Sequence, residues 1–133
     1  MLVAITGGTG FIGSRLVDLQ LKAGNDVRIL TRNKNFKHKK AEVFYGDLTH
    51  NSVNIDKFVH GVHTLFNCAG EVNAIEKMNL LHIDGTSRLI QYSKGKINRW
   101  VQLSSVGSYG HFRSGLINEQ TTENPQGVYE ESK

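Results

Sequence analysis

The sequence contains a tyrosine and a lysine whose spacing could support proton transfer. Tyr129 and Lys133 lie four residues apart in GVYEESK, so on a helix their side chains would share one face. Tyrosine in general is a poor base at neutral pH, and a lysine ammonium one turn away favours the phenolate electrostatically. Chance alone predicts roughly a third of one such pair in a chain of this composition. The pair is therefore meaningful only if other elements build a site around it.

The elements that must position this pair follow from the alternation of apolar segments along the chain. The predicted strands are residues 2–6, 27–31, 42–45, 62–67 and 99–103, and the predicted helices are residues 11–23, 51–60 and 74–93. Parallel strands need crossover connections, so this alternation indicates a mostly parallel sheet with helices on both faces. We predict an α/β fold with a doubly wound sheet in three αβα layers, as one domain without an internal boundary.

The stretch TGGTGFIG, Thr6 to Gly13, joins the first predicted strand to the first predicted helix. Gly7, Gly10 and Gly13 recur in it at a spacing of three. Where a strand turns sharply into a helix and its backbone N–H groups approach a phosphate, only residues without a Cβ leave room. The helix N-terminus, with about half a positive charge and free N–H groups, then faces the phosphate. We therefore interpret this stretch as a dinucleotide-binding turn and not as a plain loop.

Other candidate ligand contacts lie where the predicted strands end. In an open parallel sheet, ligands bind beyond the carboxyl ends of the strands, which here means beside Gly7, Thr31, Asp47, Cys68 and Ser105. Asp47 could instead be a helix-capping or turn residue. Cys68 is interpreted as a small packing residue and not as a nucleophile, because no neighbour in sequence would lower the pKa of its thiol.

The end of the second strand bears on the choice of cofactor. An acidic side chain there would bind the ribose hydroxyls of NAD, but this chain has Thr31-Arg32. The Arg32 guanidinium could pair with the 2′-phosphate of NADP, and the lysines between Lys37 and Lys40 could add charge. Alternatively, these residues are ordinary cations of a solvated loop. We favour NADP without excluding NAD.

Six motifs occur along the chain in a fixed order: TGGTGFIG, GDL at 46–48, NCAG at 67–70, HIDGT at 82–86, SSVGSYG at 104–110 and YEESK at 129–133. Together they resemble the extended short-chain dehydrogenases/reductases, also called the NAD-dependent epimerase/dehydratase family. The resemblance covers essentially the whole chain. It implies a Rossmann-like, NAD(P)-binding domain over residues 1–133, incomplete at its C-terminus and without the substrate-binding part, since members of the family run about twice as far.

The resemblance also implies roles for the motif residues. Tyr129 would be the catalytic acid/base, with Lys133 tuning it and contacting the ribose. Ser105 would hold the substrate oxygen, because it stands four residues before Tyr109, with Ser104 as the alternative. The implied cofactor contacts are Gly7, Gly10, Phe11, Ile12, Gly13, Thr31, Arg32, Asp47, Leu48, Cys68, Ala69, Gly70, Tyr129 and Lys133. Asp47 would receive a hydrogen bond from the adenine amine.

Three functions stay open from the sequence. The leading one is an NAD(P)-dependent oxidoreductase of the epimerase/dehydratase type acting on a nucleotide sugar. The first alternative is an NADPH-dependent carbonyl reductase of the same superfamily, which Arg32 favours, and the second is a dinucleotide-binding fragment without turnover. His82 departs from the family, which usually has Asn there. We expect the 133-residue chain by itself to be inactive and its association into the family's homodimer to be weak or altered.

Composition and residue spacing argue against nucleic acid, a membrane span and a metal ion. The net charge of +4 is concentrated between Lys34 and Lys40, without the basic helix or aromatic ladder of a nucleic-acid binder. No apolar run is long enough to span a membrane. The histidines of His60-x-x-His63 have no third ligand nearby, so we predict no metal site. A single cysteine cannot form an internal disulfide, which favours the cytoplasm.

Overall fold

The computed structural model describes residues 1–50, 53–110 and 115–133, and in these ranges five strands form one sheet. The strands are β1 (Leu2–Thr6), β2 (Asp26–Thr31), β3 (Glu42–Tyr45), β4 (Thr64–Asn67) and β5 (Arg99–Gln102). Their order is β3-β2-β1-β4-β5, and every neighbouring pair is parallel. The strand order reverses between β1 and β4, which is where an open α/β sheet leaves a crevice for a ligand. The predicted Rossmann-like fold is confirmed.

Helices cover both faces of this sheet. They are α1 (Phe11–Lys22), α2 (Ile55–Val59), α3 (Ile75–Met78), α4 (Thr86–Ser93) and α5 (Val128–Ser132). Successive residues of β1 alternate between two apolar clusters: Val3 and Ile5 pack with Val17 of α1, whereas Ala4 packs with Leu89 of α4. Because neighbouring side chains of a strand point to opposite faces, this alternation produces the three layers that the sequence predicts.

The bounds of several elements differ from the predicted ones. Strand β2 begins one residue earlier than predicted, β4 begins at Thr64, and β5 ends at Gln102. Helix α2 is shorter than the predicted 51–60, because the Asn54 side chain caps it by accepting the Lys57 N–H at 2.9 Å. Residues 51 and 52 of that prediction lie outside the described ranges. Helix α1 stops as predicted before Gly24, which has a left-handed φ of 77°.

The predicted long helix over residues 74–93 is one continuous rod with a π-helical segment, Asn79–Gly85, between α3 and α4. This segment is close to the backbone after β3: a Cβ added to Gly85 would lie 3.0 Å from the Leu48 carbonyl oxygen. The guanidinium of Arg88 donates to the same carbonyl. The apolar residues of this stretch are not all buried, since Ile75 and Ile90, near its two ends, are exposed.

Candidate functional site

A cleft of about 510 Å³ opens at the carboxyl edge of the sheet. Nine of the predicted contact residues line it: Gly7, Gly10, Thr31, Arg32, Asp47, Leu48, Cys68, Ala69 and Gly70. The lining also includes six residues that were not among the predicted contacts, although three of them belong to the TGGTGFIG and GDL motifs: Thr6, Thr9, Leu30, Asn33, Gly46 and Leu81. Five of these six lie next to selected positions along the chain. Leu81 could not be found in that way, because only the packing of the π segment brings it to the cleft.

The glycine turn allows two backbone segments to meet at the floor of the cleft. Gly7 has a left-handed φ of 64°, and a Cβ added to it would lie 2.7 Å from the Cys68 carbonyl oxygen. Gly10 donates its N–H to the Gly7 carbonyl at 2.9 Å. Gly13 is buried against that carbonyl, and a Cβ there would overlap with it. Side chains at these positions would therefore push the turn apart.

The turn leaves the first N–H groups of α1 available to a ligand. Gly10 is the N-cap residue and offers no side-chain cap, and the first turn contains no acidic side chain. The N–H groups of Phe11, Ile12 and Gly13 precede the first intrahelical hydrogen bond, from Ser14 to Gly10. The Phe11 and Ile12 side chains are exposed and do not line the cleft, so these two residues could contribute only their backbone to its chemistry.

A buried hydrogen-bond network fixes the strand ends below the cleft. The Thr6 hydroxyl donates to Asn67 Oδ1 at 2.5 Å and accepts the Ala69 N–H at 3.1 Å. Asn67 Nδ2 donates to the hydroxyl of Thr86 at 3.0 Å and to Gln102 Oε1 at 3.1 Å. Thr6 and Asn67 are 0% and 1% exposed. Through Asn67, the ends of β1, β4 and β5 and the start of α4 are joined at the point where the strand order reverses.

Asp47 forms a turn and also lines the cleft. Its Oδ1 accepts the N–H of Thr49 at 2.9 Å and the Thr49 hydroxyl at 2.7 Å, which is the turn role left open by the sequence. Partial burial acts to raise the pKa of the Asp47 carboxyl, but the Thr49 hydrogen bonds, aided by the charges of Arg32 and His50, outweigh it and lower the pKa. The carboxylate is therefore fixed and ionised at the rim.

Arg32 is exposed on the same rim, after the end of β2. Buried Thr31 accepts the Asn33 N–H at 3.1 Å through its hydroxyl, which fixes the backbone on either side of Arg32. The positive charge of Arg32 acts on the carboxylates of Asp47 and Glu71. The guanidinium thus lies within electrostatic range of the loops that follow β3 and β4.

Cys68 lines the cleft as a half-buried thiol. Burial raises its pKa, and the nearby charge of Lys133 opposes this shift only in part. A thiol with a raised pKa carries little thiolate at neutral pH and is a weak nucleophile. These surroundings agree with the interpretation of Cys68 as a packing residue.

None of the predicted catalytic residues is part of the lining of the cleft, but Lys133 reaches one of the lining loops. Tyr129 is on α5 and Lys133 follows it, with Nζ 6.0 Å from the centroid of the Tyr129 ring. A Cβ added to Gly70 would lie 3.5 Å from Lys133 Nζ, so the lysine reaches the loop that lines the cleft. Burial lowers the pKa of Lys133. The lysine is therefore placed between the tyrosine and the cleft.

Ser105 approaches α5 from a different loop. Its hydroxyl accepts the Gly107 N–H at 3.1 Å and begins a short 3₁₀ turn, Val106–Tyr109. A Cβ added to Gly107 would lie 3.3 Å from Ser105 Oγ and 2.7 Å from Glu130 Cγ. Contact through Gly107 therefore brings the Ser105 loop against the helix that carries Tyr129. Ser104, the alternative, is exposed at the preceding position.

His82 connects this region in a way that the sequence did not predict. The ring is 7% exposed, and its Nε2 accepts the Glu71 N–H at 2.8 Å. Its Nδ1 lies 2.7 Å from Ser132 Oγ, and the ring packs edge-on against Tyr129 with centroids 5.8 Å apart. Burial lowers the pKa of His82, as does the charge of Lys133, while Glu71 opposes the shift. In the sequence, this histidine was noticeable only as a departure from a motif.

Two further observations limit the chemistry of the described ranges. The described ranges contain no group of three or more His, Cys, Asp and Glu side chains that could hold a metal ion. No helix within residues 1–50, 53–110 and 115–133 has the length and apolar character needed to cross a membrane.

The chain matches one protein family and several known proteins. The family described as "NAD dependent epimerase/dehydratase family" matches residues 3–133. "Epimerase family protein YfhF" of Bacillus subtilis is 32% identical over 120 residues, which cover 83% of this chain and 39% of that protein. "Cinnamoyl-CoA reductase 2" of Medicago truncatula is 36% identical over 118 residues, which cover 80% of this chain and 35% of that protein.

A solved structure, MoeE5 in complex with UDP-glucose and NAD, covers 99% of this chain with a TM-score of 0.82 and 26% identity. The match covers 45% of that chain. This chain thus spans less than half the length of the curated relatives that it matches.

Proposed function

This chain belongs to the NAD dependent epimerase/dehydratase family, and from that premise we propose that its cleft binds NADP or NAD for an oxidoreductase, with NADP favoured. The observation that carries the proposal is the glycine turn. Two backbone segments meet there where a Cβ at Gly7 or Gly13 would not fit, and the N-terminus of α1 is left without a cap. Free N–H groups and the helix dipole at such a turn suit a pyrophosphate.

The remaining cleft residues suit the rest of a dinucleotide. The Asp47 carboxylate is fixed by Thr49 at the rim of the cleft, where an adenine amine could donate to it. Leu48 and Leu81 supply apolar surface beside it. The bound nicotinamide would carry the hydride.

We expect this chain to bind NADPH and NADH measurably, with a dissociation constant in the micromolar range or below. Isothermal titration calorimetry with each reduced cofactor tests this expectation, and enhancement of the cofactor's fluorescence gives an independent readout. ATP serves as a control because it has the adenine and phosphates but no nicotinamide. If neither cofactor binds to folded protein, the proposed function is refuted.

We propose that Arg32 selects NADP. Arg32→Ala should weaken NADPH binding by about tenfold or more, because a charge-assisted contact to the 2′-phosphate is lost, and should change NADH binding by less than about twofold. Arg99→Ala is the matched control, since Arg99 is an exposed arginine at the start of β5, on the opposite edge of the sheet. Unchanged NADPH affinity in Arg32→Ala would show that the arginine is an ordinary surface cation.

In the complete catalytic unit, we propose that Tyr129 transfers the proton while Lys133 supports it electrostatically and contacts the ribose. Ser105 would hydrogen-bond the substrate oxygen. The position of Lys133 between Tyr129 and Gly70 supports this arrangement. The bound UDP-glucose of MoeE5 favours a nucleotide sugar as the substrate. A carbonyl reductase is the second candidate, favoured by Arg32 and by the likeness to cinnamoyl-CoA reductase.

Binding and turnover are separate parts of the proposal. Because the chain spans less than half the length of its relatives, we propose that these 133 residues alone bind the cofactor without turning over substrate. We also propose that the protein is located in the cytoplasm, because its single cysteine cannot form an internal disulfide. The assembly that we propose for testing is a homodimer.

A further inference from the structure

The hydrogen bonds of His82 determine which ring nitrogen carries the proton. The backbone N–H of Glu71 can only donate, so Nε2, which lies 2.8 Å from it, must be the unprotonated nitrogen. In the neutral ring the proton is then on Nδ1, which donates to Ser132 Oγ at 2.7 Å. The Ser132 hydroxyl in turn donates to the Tyr129 carbonyl at 2.8 Å. A directed chain of three hydrogen bonds therefore runs from the loop after β4 to α5.

These three hydrogen bonds connect two parts of the site whose separation must stay fixed. Gly70 and Glu71 belong to the loop that lines the cleft, whereas Tyr129 and Lys133 belong to α5 and its end. A Cβ added to Gly70 would lie 3.5 Å from Lys133 Nζ and 3.6 Å from His82 Nε2, so all three groups meet at one point. A change at His82 would therefore alter the positions of both the loop and Lys133.

The groups that face the ring come from both sides. Lys133 and Tyr129 approach from α5, and the lysine charge disfavours a second positive charge on the ring. Glu71 approaches from the loop and opposes that effect, but its Oε1 is occupied by the N–H groups of Val72, Asn73 and Ala74. Burial is the largest of the effects that lower the pKa of His82 and so favour the neutral ring. Protonation would put a donor at Nε2 opposite the Glu71 N–H, so that bond must break.

We propose that His82 is a positioning residue for Tyr129 and Lys133: its neutral ring ties α5 to the loop after β4, and protonation releases the tie. The chemical role of Tyr129 and Lys133 in this statement rests on the proposed function, whereas the tie itself does not. The pKa of His82 in the fold lies below the ordinary 6.5. The tie is therefore complete above pH 6.5 and is lost as the pH falls through the lower pKa of the folded state.

Nuclear magnetic resonance of the chain from pH 8 to pH 5 tests the proposal directly. We expect the His82 ring to show the proton on Nδ1 at pH 8, and the amide signals of Glu71 and Ser132 to shift with the ring at one pH below 6.5. In His82→Asn these shifts should vanish, because an amide oxygen can accept the Glu71 N–H at every pH. His60→Asn, a change at an exposed histidine of the α2 C-terminus, should keep them.

A second readout uses cofactor affinity. Lowering the pH through the value at which the His82 ring titrates should weaken NADPH binding by about fivefold in the unchanged chain and in His60→Asn. In His82→Asn the same change of pH should weaken binding by less than about twofold. Ser132→Ala should accelerate amide exchange in α5 while leaving the pH-dependent Glu71 shift. This variant decides the question if His82→Asn fails to fold.

Three outcomes would overturn the inference: a proton on Nε2 at pH 8, Glu71 shifts that persist in His82→Asn, or Glu71 and Ser132 amides that ignore the ring titration. If no cofactor binds at any pH, the proposed function fails, and the nuclear magnetic resonance titration still decides the role of His82.

Discussion

Gly7→Ala is expected to raise the dissociation constant for NADPH or NADH by at least about 100-fold, which corresponds to about 2.7 kcal/mol of binding free energy. Two effects act at this residue. Its φ of 64° is in the left-handed region, and the new Cβ would lie 2.7 Å from the Cys68 carbonyl oxygen, well inside van der Waals contact. Relieving that clash separates the glycine turn from the loop after β4 and opens the floor of the cleft. Calorimetric titration measures the loss.

Gly24→Ala separates the two effects. Gly24 has a φ of 77°, so alanine there has a similar conformational cost of about 1–2 kcal/mol, but no atom lies within 4 Å of the added Cβ. We expect this variant to lose stability and to keep its cofactor affinity within about twofold. Equal loss of binding in both variants would mean that backbone strain, and not the close approach to Cys68, is what matters at Gly7.

Asn67→Ala is expected to lower the free energy of unfolding by about 3–5 kcal/mol. Thr6 loses the acceptor of its buried hydroxyl, and the amide that joins the ends of β1, β4 and β5 disappears. Each buried polar group left without a partner costs about 1–3 kcal/mol, and the cavity adds to this. Denaturant-induced unfolding measured by circular dichroism gives the value.

Gln102→Ala is the control for Asn67. It removes one acceptor of the Asn67 amide, but Gln102 is exposed, so water can replace the lost group. We expect a loss of less than about 1 kcal/mol. Similar unfolding midpoints for the two variants would show that the network below the cleft contributes little to stability.

The fold was predictable because its signals are local. The apolar run of β1, the glycine turn and the spacing of α1 each occupy a few consecutive residues. The position of the cleft follows from these elements, since parallel strands must end on one edge of the sheet. That is why nine of the predicted contact residues line a single cleft, whereas their roles toward a ligand stay predictions.

What the sequence could not provide depends on packing between distant residues. The π segment that brings Leu81 to the cleft has no local signature, because the apolar spacing of residues 74–93 fits a regular helix. The role of His82 depends on Glu71 and Ser132, the latter 50 positions away. Such a pairing is visible only once the sheet has brought the loop after β4 and α5 together.

The hydrogen bonds of Asn67 have a consequence for the order in which the molecule assembles. They connect residues that are 61, 35 and 19 positions apart in the chain. Closing such long loops costs conformational entropy before any contact repays it, so the bonds can form only when β1, β4 and β5 are already adjacent. A partly folded chain in which these strands are not yet adjacent therefore lacks the hydrogen bonds that fix the floor of the cleft. A cofactor that binds there stabilises the entire fold by mass action, and its occupancy reports on the folded fraction of the chain.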